Sequence, residues 1–545
     1  MVVHILGTAY ETLFPKQYLY HICGGLLALY VIRTLSQGRK TTRDRDLHGR
    51  VVLMTGAFTP LGLTLMEALA ERGAHIIALS PEPIDLSSPN TAPANPSPSA
   101  DTPSTDAPRP PPPGAAGTAP TAPEIDPNSP PPLSASPTAL LIEALRTASG
   151  NQHIYAEHCD IESPAHIRAF CTRFLTGNDT RLDAIVFAHE APHVGNVVGA
   201  RKADKAEDAK RRSLRSLATF LITTLLLPAL LVAPPERDIR IVHVVNPFYA
   251  AGAGMGKKGA KGMGLKLACT FPGVLDVGDA LRGAPTPSGV LPSEGARALR
   301  TIVYSRHLQR VLDALPSAQV PKTDAEAGGA GAASVPVVSQ KEQRSNITTV
   351  SVSPGISRLT TIAPMLGASE SDRWSWRGFF LYVLLNPLLR LLAKGSSAAI
   401  QSILHALFVP TPFKIIGGNV EKDATDTDDG KAKPRQEVLK PGALYAECAV
   451  VPLEVTVPDE WIEQDAQNAK NEKAKAEKEK GKGKAKSTAQ EETIALADDG
   501  EYGGERAGRV VWEAFEAALK VWEASEEKEK PAMEGETGKG TAPSS

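Results

Sequence analysis

Thr55-Gly56-x-x-x-Pro60-x-Gly62 is the stretch of this chain best suited to hold a ligand. A short β-branched apolar run, Val51 to Met54, leads into it, and an apolar helical pattern through Leu61, Leu65, Met66 and Leu69 leads out. Strand, glycine turn and helix in that order let the backbone approach a pyrophosphate while the amides of the helix N-terminus point at it. Gly254-Met-Gly-Lys-Lys-Gly-Ala-Lys-Gly-Met-Gly-Leu-Lys266 sets lysines among glycines and could meet phosphate or anionic lipid. No strand-to-helix context surrounds it, so a solvated loop is the preferred reading. His189-Glu190 could act as an acid/base pair, but sequence neighbours rarely converge on one point, and two exposed loop residues is the expectation. Cys23, Cys159, Cys171, Cys269 and Cys448 have no paired spacing, so they read as reduced, intracellular thiols, with neither a disulfide framework nor a metal site.

The elements around the glycine turn must position it. Strand patterns recur at His75 to Leu79, His153 to His158, Leu182 to Phe187, Arg240 to Val245 and Ile347 to Val352. Helical patterns fall between them, at Leu140 to Leu145, Ile167 to Leu175, Leu217 to Leu231 and Ala296 to Leu315. Strands alternating with helices of this length imply right-handed crossovers and a parallel sheet. The expected fold class is α/β, a three-layer doubly wound Rossmann fold.

A chain of 545 residues with 42% hydrophobic content can bury a full-sized core. Its 45 prolines and 45 glycines cluster, however, which marks much of the length as something other than core. Disordered insertions are expected at about 81–137, 250–295, 320–344 and 420–438 within a Rossmann domain of 48–455. A charged linker (456–504), an amphipathic helix (505–525) and a disordered tail (526–545) complete the order. The net charge of -2 gives no reason to invoke nucleic acid. After a segment at 1–16, residues 17–36 are apolar enough for a transmembrane anchor, with tyrosines suited to the interface. Arg33, Arg39, Lys40, Arg43, Arg45 and Arg50 follow it, against Lys16 before it, so the positive-inside bias leaves the folded domain in the cytosol. The apolar run at 379–393 is too short and too broken by Asn386, Pro387 and Arg390 to span, and reads as a lid or an interfacial helix.

Thr55-Gly56-x-x-x-Pro60-x-Gly62 resembles the Thr-Gly-x-x-x-Gly-x-Gly signature of the short-chain dehydrogenase/reductase superfamily, with proline at the middle glycine. Cys159-Asp160-Ile161 resembles the motif after that family's third strand, and Ser353-Pro354-Gly355 its Pro-Gly turn near the nicotinamide carboxamide. Residues 217–231, 394–408 and 442–448 are similar to the membrane-anchored, retinol-dehydrogenase-like branch, and the long insertions resemble those of an uncharacterised fungal family of such proteins. The resemblance implies NADP or NAD as cofactor, held by Thr55, Gly56, Pro60, Gly62, Ser80, Asp160, Pro354 and Gly355. Ser80 stands where an acid would favour NAD and an arginine NADP. It also implies a lipophilic small-molecule substrate, a lipid bilayer as partner, and homodimers through helices four (217–231) and five (296–315). The membrane it implies is that of the endoplasmic reticulum, with the mitochondrial outer membrane as the alternative.

The chemical columns of the family are altered. Carried over by position, its proton-donating tyrosine falls on Ile302, or on Tyr304 in a register displaced by two, its lysine on Arg306, its serine on Asn246 and its asparagine on Arg215. Isoleucine transfers no proton, and an arginine stays protonated where a lysine can be tuned. Pro60 lacks the N–H that would face the pyrophosphate. The expectation is a membrane-anchored Rossmann module with a degenerate active site, non-catalytic or strongly diverged, with weak or lost cofactor binding. The alternative is an NAD(P)-dependent oxidoreductase of a lipophilic carbonyl or alcohol, a sterol, retinoid or acyl compound, that uses Tyr304 and Arg306 as improvised donor and ribose anchor.

Overall fold

The computed structural model describes residues 16–83, 136–177, 181–192, 202–234, 236–249, 267–270, 290–319, 345–369, 374–411, 437–456, 496 and 500–536. The Pro-rich stretch 84–135, the lysine–glycine loop, and the insertions at 320–344 and 420–436 lie outside these residues. In chain order the elements begin with α1 (Lys16–Gln37), β1 (Val51–Thr55), α2 (Pro60–Ala70), β2 (His75–Ser80), α3 (Pro137–Ser149), β3 (Ile154–His158), α4 (Pro164–Thr176) and β4 (Ala184–Phe187). They continue with α5 (Lys202–Val232), β5 (Ile239–Val244), β6 (Leu267–Thr270), α6 (Val290–Gln319), β7 (Ile347–Ser353), α7 (Ala363–Leu366) and α8 (Trp376–Leu392). Last come α9 (Ser396–Ala399), α10 (Gln401–Phe408), β8 (Leu444–Ala446), β9 (Ala449–Val450), β10 (Leu453–Thr456) and α11 (Gly504–Glu536).

One sheet runs β3-β2-β1-β4-β5-β7-β8-β9, parallel throughout except for the terminal β8–β9 pair. This is the doubly wound order, and it confirms the expected fold class. Strands β1, β4, β5 and β7 are buried along their whole length, as continuous β-branched runs covered on both faces should be. On one face α2 and α10 pack Leu61, Leu65, Met66, Ile403 and Leu407 against Val52, Met54, Val186 and Val242. On the other, α4, α5 and α6 pack Phe170, Leu217, Leu221, Ile302 and Leu308 against Leu53, Ile185, Ile241 and Ile347. Residues Ala209–Val232 of α5 are long and apolar enough to cross a bilayer, but over half of that stretch is buried in the domain, as expected of a core helix.

Three boundaries differ from the sequence expectation. The insertion at 250–295 is not structureless, because Leu267–Thr270 pairs in parallel with Leu453–Thr456 in a second, two-stranded sheet. Helix α6 begins at Val290, inside that insertion, and α11 runs to Glu536, past the expected end at 525. Neither shift was visible in the apolar pattern, since the extra turns carry Ser, Glu, Lys and Gly in place of a hydrophobic stripe.

Helix α11 lies across α5 and α6. Val511, Phe515, Ala518 and Trp522 recur at helical spacing and are buried together with Phe220 and Tyr304. Phe515 stacks on Phe220 at 5.6 Å between ring centroids and meets Tyr304 edge-on at the same distance. Part of the shared face of α5 and α6 is therefore covered by the chain's own C-terminal helix. Phe515→Ala is expected to cost about 3–5 kcal/mol in denaturant unfolding, as for other buried aromatics. Lys520→Ala, on the exposed side of α11, should stay within about 0.5 kcal/mol.

Candidate active site

At the carboxyl end of β1 the chain turns at Gly56, whose φ of 66° lies in the left-handed region. A Cβ there would stand 2.6 Å from the backbone of His189, so only glycine lets the β1 and β4 ends approach. Gly62 is as tightly held, for its Cβ would meet the Gly56 carbonyl oxygen at 2.3 Å. Helix α2 follows with Thr59 as N-cap, whose Oγ1 accepts the Gly62 amide at 3.1 Å, and with Pro60 in the first turn. The turn geometry suited to a pyrophosphate is intact. Of the first-turn amides, however, proline removes one and the cap engages another, so Leu61 supplies the one that neither device withdraws.

The other residues expected at a cofactor are placed along the same edge. Ser80 ends β2, fully buried, and its Oγ accepts the Glu82 amide at 3.1 Å. Asp160 caps its own turn by accepting the Glu162 amide at 2.9 Å. Gly355 follows Pro354 at the end of β7 with φ of 80°, and a Cβ on it would meet the Lys394 Nζ at 2.8 Å. Lys394 is itself buried and paired with Glu447 at 3.3 Å. The Thr55–Gly56 turn fits the backbone shape of a dinucleotide site, and Pro354–Gly355 lies at the end of β7 along the same sheet edge.

The chemical residues fall elsewhere. Asn246, after β5, donates from Nδ2 to the Glu294 carbonyl at 3.1 Å and lies 3.4 Å from its carboxylate. The helix residue facing the end of β5 is thus Glu294, in the first turns of α6, with Arg297 and Ala298 one turn on. Ile302, Tyr304 and Arg306 lie two to three turns further along, away from Asn246. Tyr304 is enclosed by Phe220, His243, Trp512 and Phe515, and its hydroxyl makes no hydrogen bond among the described residues. Burial pushes its phenol above the ordinary range. Arg306 donates to the Pro441 carbonyl at 2.6 Å and pairs with Glu501 at 3.4 Å. Arg215 turns outward to Glu162 at 2.9 Å. Tyr304, Arg306 and Asn246 are not brought together.

A buried network that the sequence did not reveal fills the space beside Asn246. Glu294 accepts from Arg212 Nε at 2.6 Å and from Arg297 at 2.7 Å. Arg297 reaches on to the Glu190 carbonyl at 3.1 Å and lies 3.9 Å from its carboxylate. Glu190 in turn accepts from Thr219 at 2.7 Å and Thr301 at 3.0 Å. His189 joins them, with Nε2 2.9 Å from the Arg215 carbonyl and Nδ1 2.7 Å from the Thr55 hydroxyl. A carbonyl can only accept, so Nε2 carries the proton and the Thr55 hydroxyl donates to Nδ1. His189 and Glu190, expected as exposed loop residues, are each only 3% exposed and converge through Thr219. Adjacent residues point to one place here because the chain bends immediately after β4. Burial, outweighing the nearby Glu190, holds His189 below its ordinary value and therefore neutral. Burial also opposes the Arg297 charge, yet Glu294 and Glu190 raise its pKa above the usual guanidinium value.

Such an arrangement holds charge and relays hydrogen bonds from Thr55 to His189. Among the described residues, the network itself includes no tyrosine and no lysine. A sequence signal for it exists only in retrospect: Glu294 and Arg297 are spaced i,i+3 on α6 as an ion pair would be.

The doubly wound sheet in this order, with a Thr-Gly turn after its first strand and a Pro-Gly turn after β7, is a Rossmann-type dinucleotide-binding fold. No family model matches the chain. An uncharacterized oxidoreductase of Schizosaccharomyces pombe is 22% identical over 418 residues, covering 75% of this chain and 84% of its own length. An uncharacterized oxidoreductase of Saccharomyces cerevisiae is 24% identical over 252 residues, 44% of this chain, which spans about half (49%) of that relative's length. Among solved structures, a short-chain dehydrogenase from Shigella flexneri aligns with 66% of this chain and 91% of its own, at 13% identity and a TM-score of 0.33. Another from Shigella flexneri, complexed with NADP, aligns with 65% of this chain and 96% of its own, at 14% identity and a TM-score of 0.32.

Removing the Glu294 charge strands two buried guanidinium groups, so Glu294→Gln is expected to destabilise the fold by about 3–5 kcal/mol. Arg297→Met in the same chain should add less than its cost alone, which a double-mutant cycle by urea unfolding would reveal. A second expectation concerns pH. Burial lowers His243 to about 3 and His307 to about 4 from an ordinary 6.5. As the pH falls through 6.5 the unfolded chain binds protons first, so stability is lost, by up to about 1.4 kcal/mol per pH unit per group, until each folded value is reached. Neither His243 nitrogen has a hydrogen-bond partner among the described residues. His243→Leu should therefore flatten the acid limb of a melting-temperature profile while leaving stability at pH 7.5 unchanged or raised.

Proposed function

We propose that this protein is a membrane-associated module of the short-chain-dehydrogenase type that has given up the tyrosine-based proton relay and serves as a strongly diverged or non-catalytic nucleotide binder. One observation carries the reading: beside Asn246, where the relay belongs, stands Glu294 neutralised by Arg212 and Arg297, while Tyr304 is walled in by aromatic rings. Hydride transfer to a carbonyl needs a proton donor within hydrogen-bond reach of the substrate oxygen. A carboxylate held between two arginines is a poor donor. NADP or NAD is the cofactor class that the Gly56 and Gly355 turns suit, and the cofactor would supply hydride if the chain were active.

Support for the membrane comes from α1 and α8. Arg33 and Ser36 of α1 donate to the carbonyls of Ala393 and Leu391 at 3.0 and 2.8 Å, so the C-terminal ends of the two helices are held together. The pair exposes Leu26, Leu27, Tyr30 and Leu35 together with Trp376, Phe380, Leu384 and Leu392. At 22 residues α1 is about 33 Å long, enough to cross a hydrocarbon core. Tyr18 and Tyr20 near its start suit the interface, and the arginines after it favour the cytosolic side. The endoplasmic reticulum is the membrane proposed, with the mitochondrial outer membrane as the alternative.

The second reading, an oxidoreductase of a lipophilic carbonyl or alcohol, has one observation in its favour. Lys394, which follows α8, lies against Gly355 at the edge where the resemblance sets the nicotinamide, and a substrate leaving a bilayer along α1 and α8 would arrive there. Calorimetric titration with NADPH and NADH, followed by turnover assays on sterol, retinoid and acyl ketones, separates the two. The proposal expects weak or no cofactor binding and no turnover. Robust turnover abolished by Tyr304→Phe would overturn it.

A further inference from the structure

Helix α8 is tied to the domain at both ends and in the middle. At its start the Ser375 amide donates to the Gly367 carbonyl at 2.9 Å, and Gly378, buried, sits against the Leu366 carbonyl. Midway, the Arg358 guanidinium donates to the Asn386 side-chain oxygen at 3.2 Å. At its end the Lys394 amide donates to the Ile356 carbonyl at 3.1 Å, and the Lys394 carbonyl accepts the Arg358 amide at 3.3 Å. The helix thus leaves the segment 356–367 and returns to it. An element with both ends on one surface does not cross a bilayer, and at 17 residues, about 26 Å, it is also shorter than a hydrocarbon core.

The side turned away from the domain is apolar. Trp376, Phe380, Leu384, Leu388 and Leu392 recur every four residues and are all exposed. Ile356 and Leu359, on the segment that meets the last turn of α8, are exposed as well. A lid would turn such a stripe inward over its ligand, whereas this one faces out. Leaving it in water is unfavourable, so it calls for a cover. The helix carries no acid, and its two charges, Arg377 and Arg390, are both exposed. That charge pattern suits an anionic, apolar partner. The neighbouring element narrows the choice: α1 is fastened to the same end of α8, where the Gln37 side-chain oxygen also accepts the Gly395 amide at 3.1 Å.

We infer that α8 lies in the plane of the membrane interface, its stripe from Trp376 to Leu392 sunk among lipid acyl chains and its two arginines level with the headgroup phosphates. The inference rests on the membrane-associated reading and adds to it a second lipid contact, separate from the anchor. A single tethering helix leaves a domain free to swivel. A helix lying flat fixes its orientation, and with Ile356 at the surface the Pro354–Gly355 turn stands beside the lipid.

The test reconstitutes the full-length chain into phosphatidylcholine vesicles, with and without phosphatidylglycerol, and checks insertion by flotation. Lipids brominated near the top of the acyl chain should quench the tryptophan emission. The double substitution Trp374→Phe, Trp376→Phe should abolish that quenching, since Trp512 and Trp522 lie in α11. Leu384→Glu should reduce it while the protein still floats through α1. Leu384 is 74% exposed, so the melting temperature of that variant in detergent should not move. Phosphatidylglycerol should strengthen the quenching, and Arg377→Gln with Arg390→Gln should remove the gain. A chain that floats but shows no quenching dependent on Trp374 and Trp376 overturns the α8 contact and leaves the anchor standing. A chain that does not float overturns both. Absent quenching together with a detergent-stable dimer that Leu384→Glu splits gives the stripe to a second copy, and overturns the lipid contact as well.

Discussion

Two carboxylates, Glu190 and Glu294, are buried at the carboxyl edge of β4 and β5 with Arg212 and Arg297, and neither sign can be withdrawn without leaving the other bare in a poor dielectric. That constraint fixes the first turns of α6 against the end of α5. The rest of the domain's second face follows from it. With Glu294 pinned beside Asn246, the α6 face two turns further on is directed at α5 and α11, which is why Tyr304 ends among aromatic rings. The same ion pairs leave little freedom for a reacting group in that corner. Rigidity here comes at the site where an enzyme of this architecture would keep its exchangeable proton.

The fold was legible and the site was not, for a common physical reason. Strands such as Val51–Thr55 and Ile347–Ser353 are short, β-branched and buried on both sides, so their sequence signal survives any loop length between them. The glycine turn announced itself because Gly56 and Gly62 touch backbone where a Cβ cannot fit. Helix α6 offers no such landmark. Ile302, Val303, Tyr304 and Leu308 are buried, but so are Thr301, Ser305, His307, Gln309 and Arg310, so no apolar stripe marks one face and none fixes the register. Counting forward from β5 fails as well, because a long insertion, part of it the β6 strand, separates the two. The relay column was consequently sought at 302–306, when the residue facing Asn246 is Glu294.

His189 and Glu190 illustrate a different limit. Nothing local distinguishes a charged dipeptide in a solvated loop from one folded under a helix. The decision belongs to Thr219 and Thr301, which lie 29 and 111 positions from Glu190 and supply its hydrogen bonds. Similarly, the arginines around Asp183 and Asp238 come from three stretches of the chain, Arg45, Arg181 and Arg237 with Arg240, and Arg45 reads first as the positive flank of a membrane anchor. A cluster assembled across that much sequence is visible only once the strands have brought their starting ends together.

Helix α11 gives the domain an order of events during synthesis. The aromatic side of α5 and α6, including Phe220 and Tyr304, is made long before Phe515 and Trp522 exist, and at ordinary ribosomal speed it stays open for tens of seconds. For that interval the nascent domain carries an uncovered greasy surface while α1, itself apolar and exposed, has already emerged. Chaperones acting on the growing chain would find their grip there, and would lose it when residue 522 swings into place.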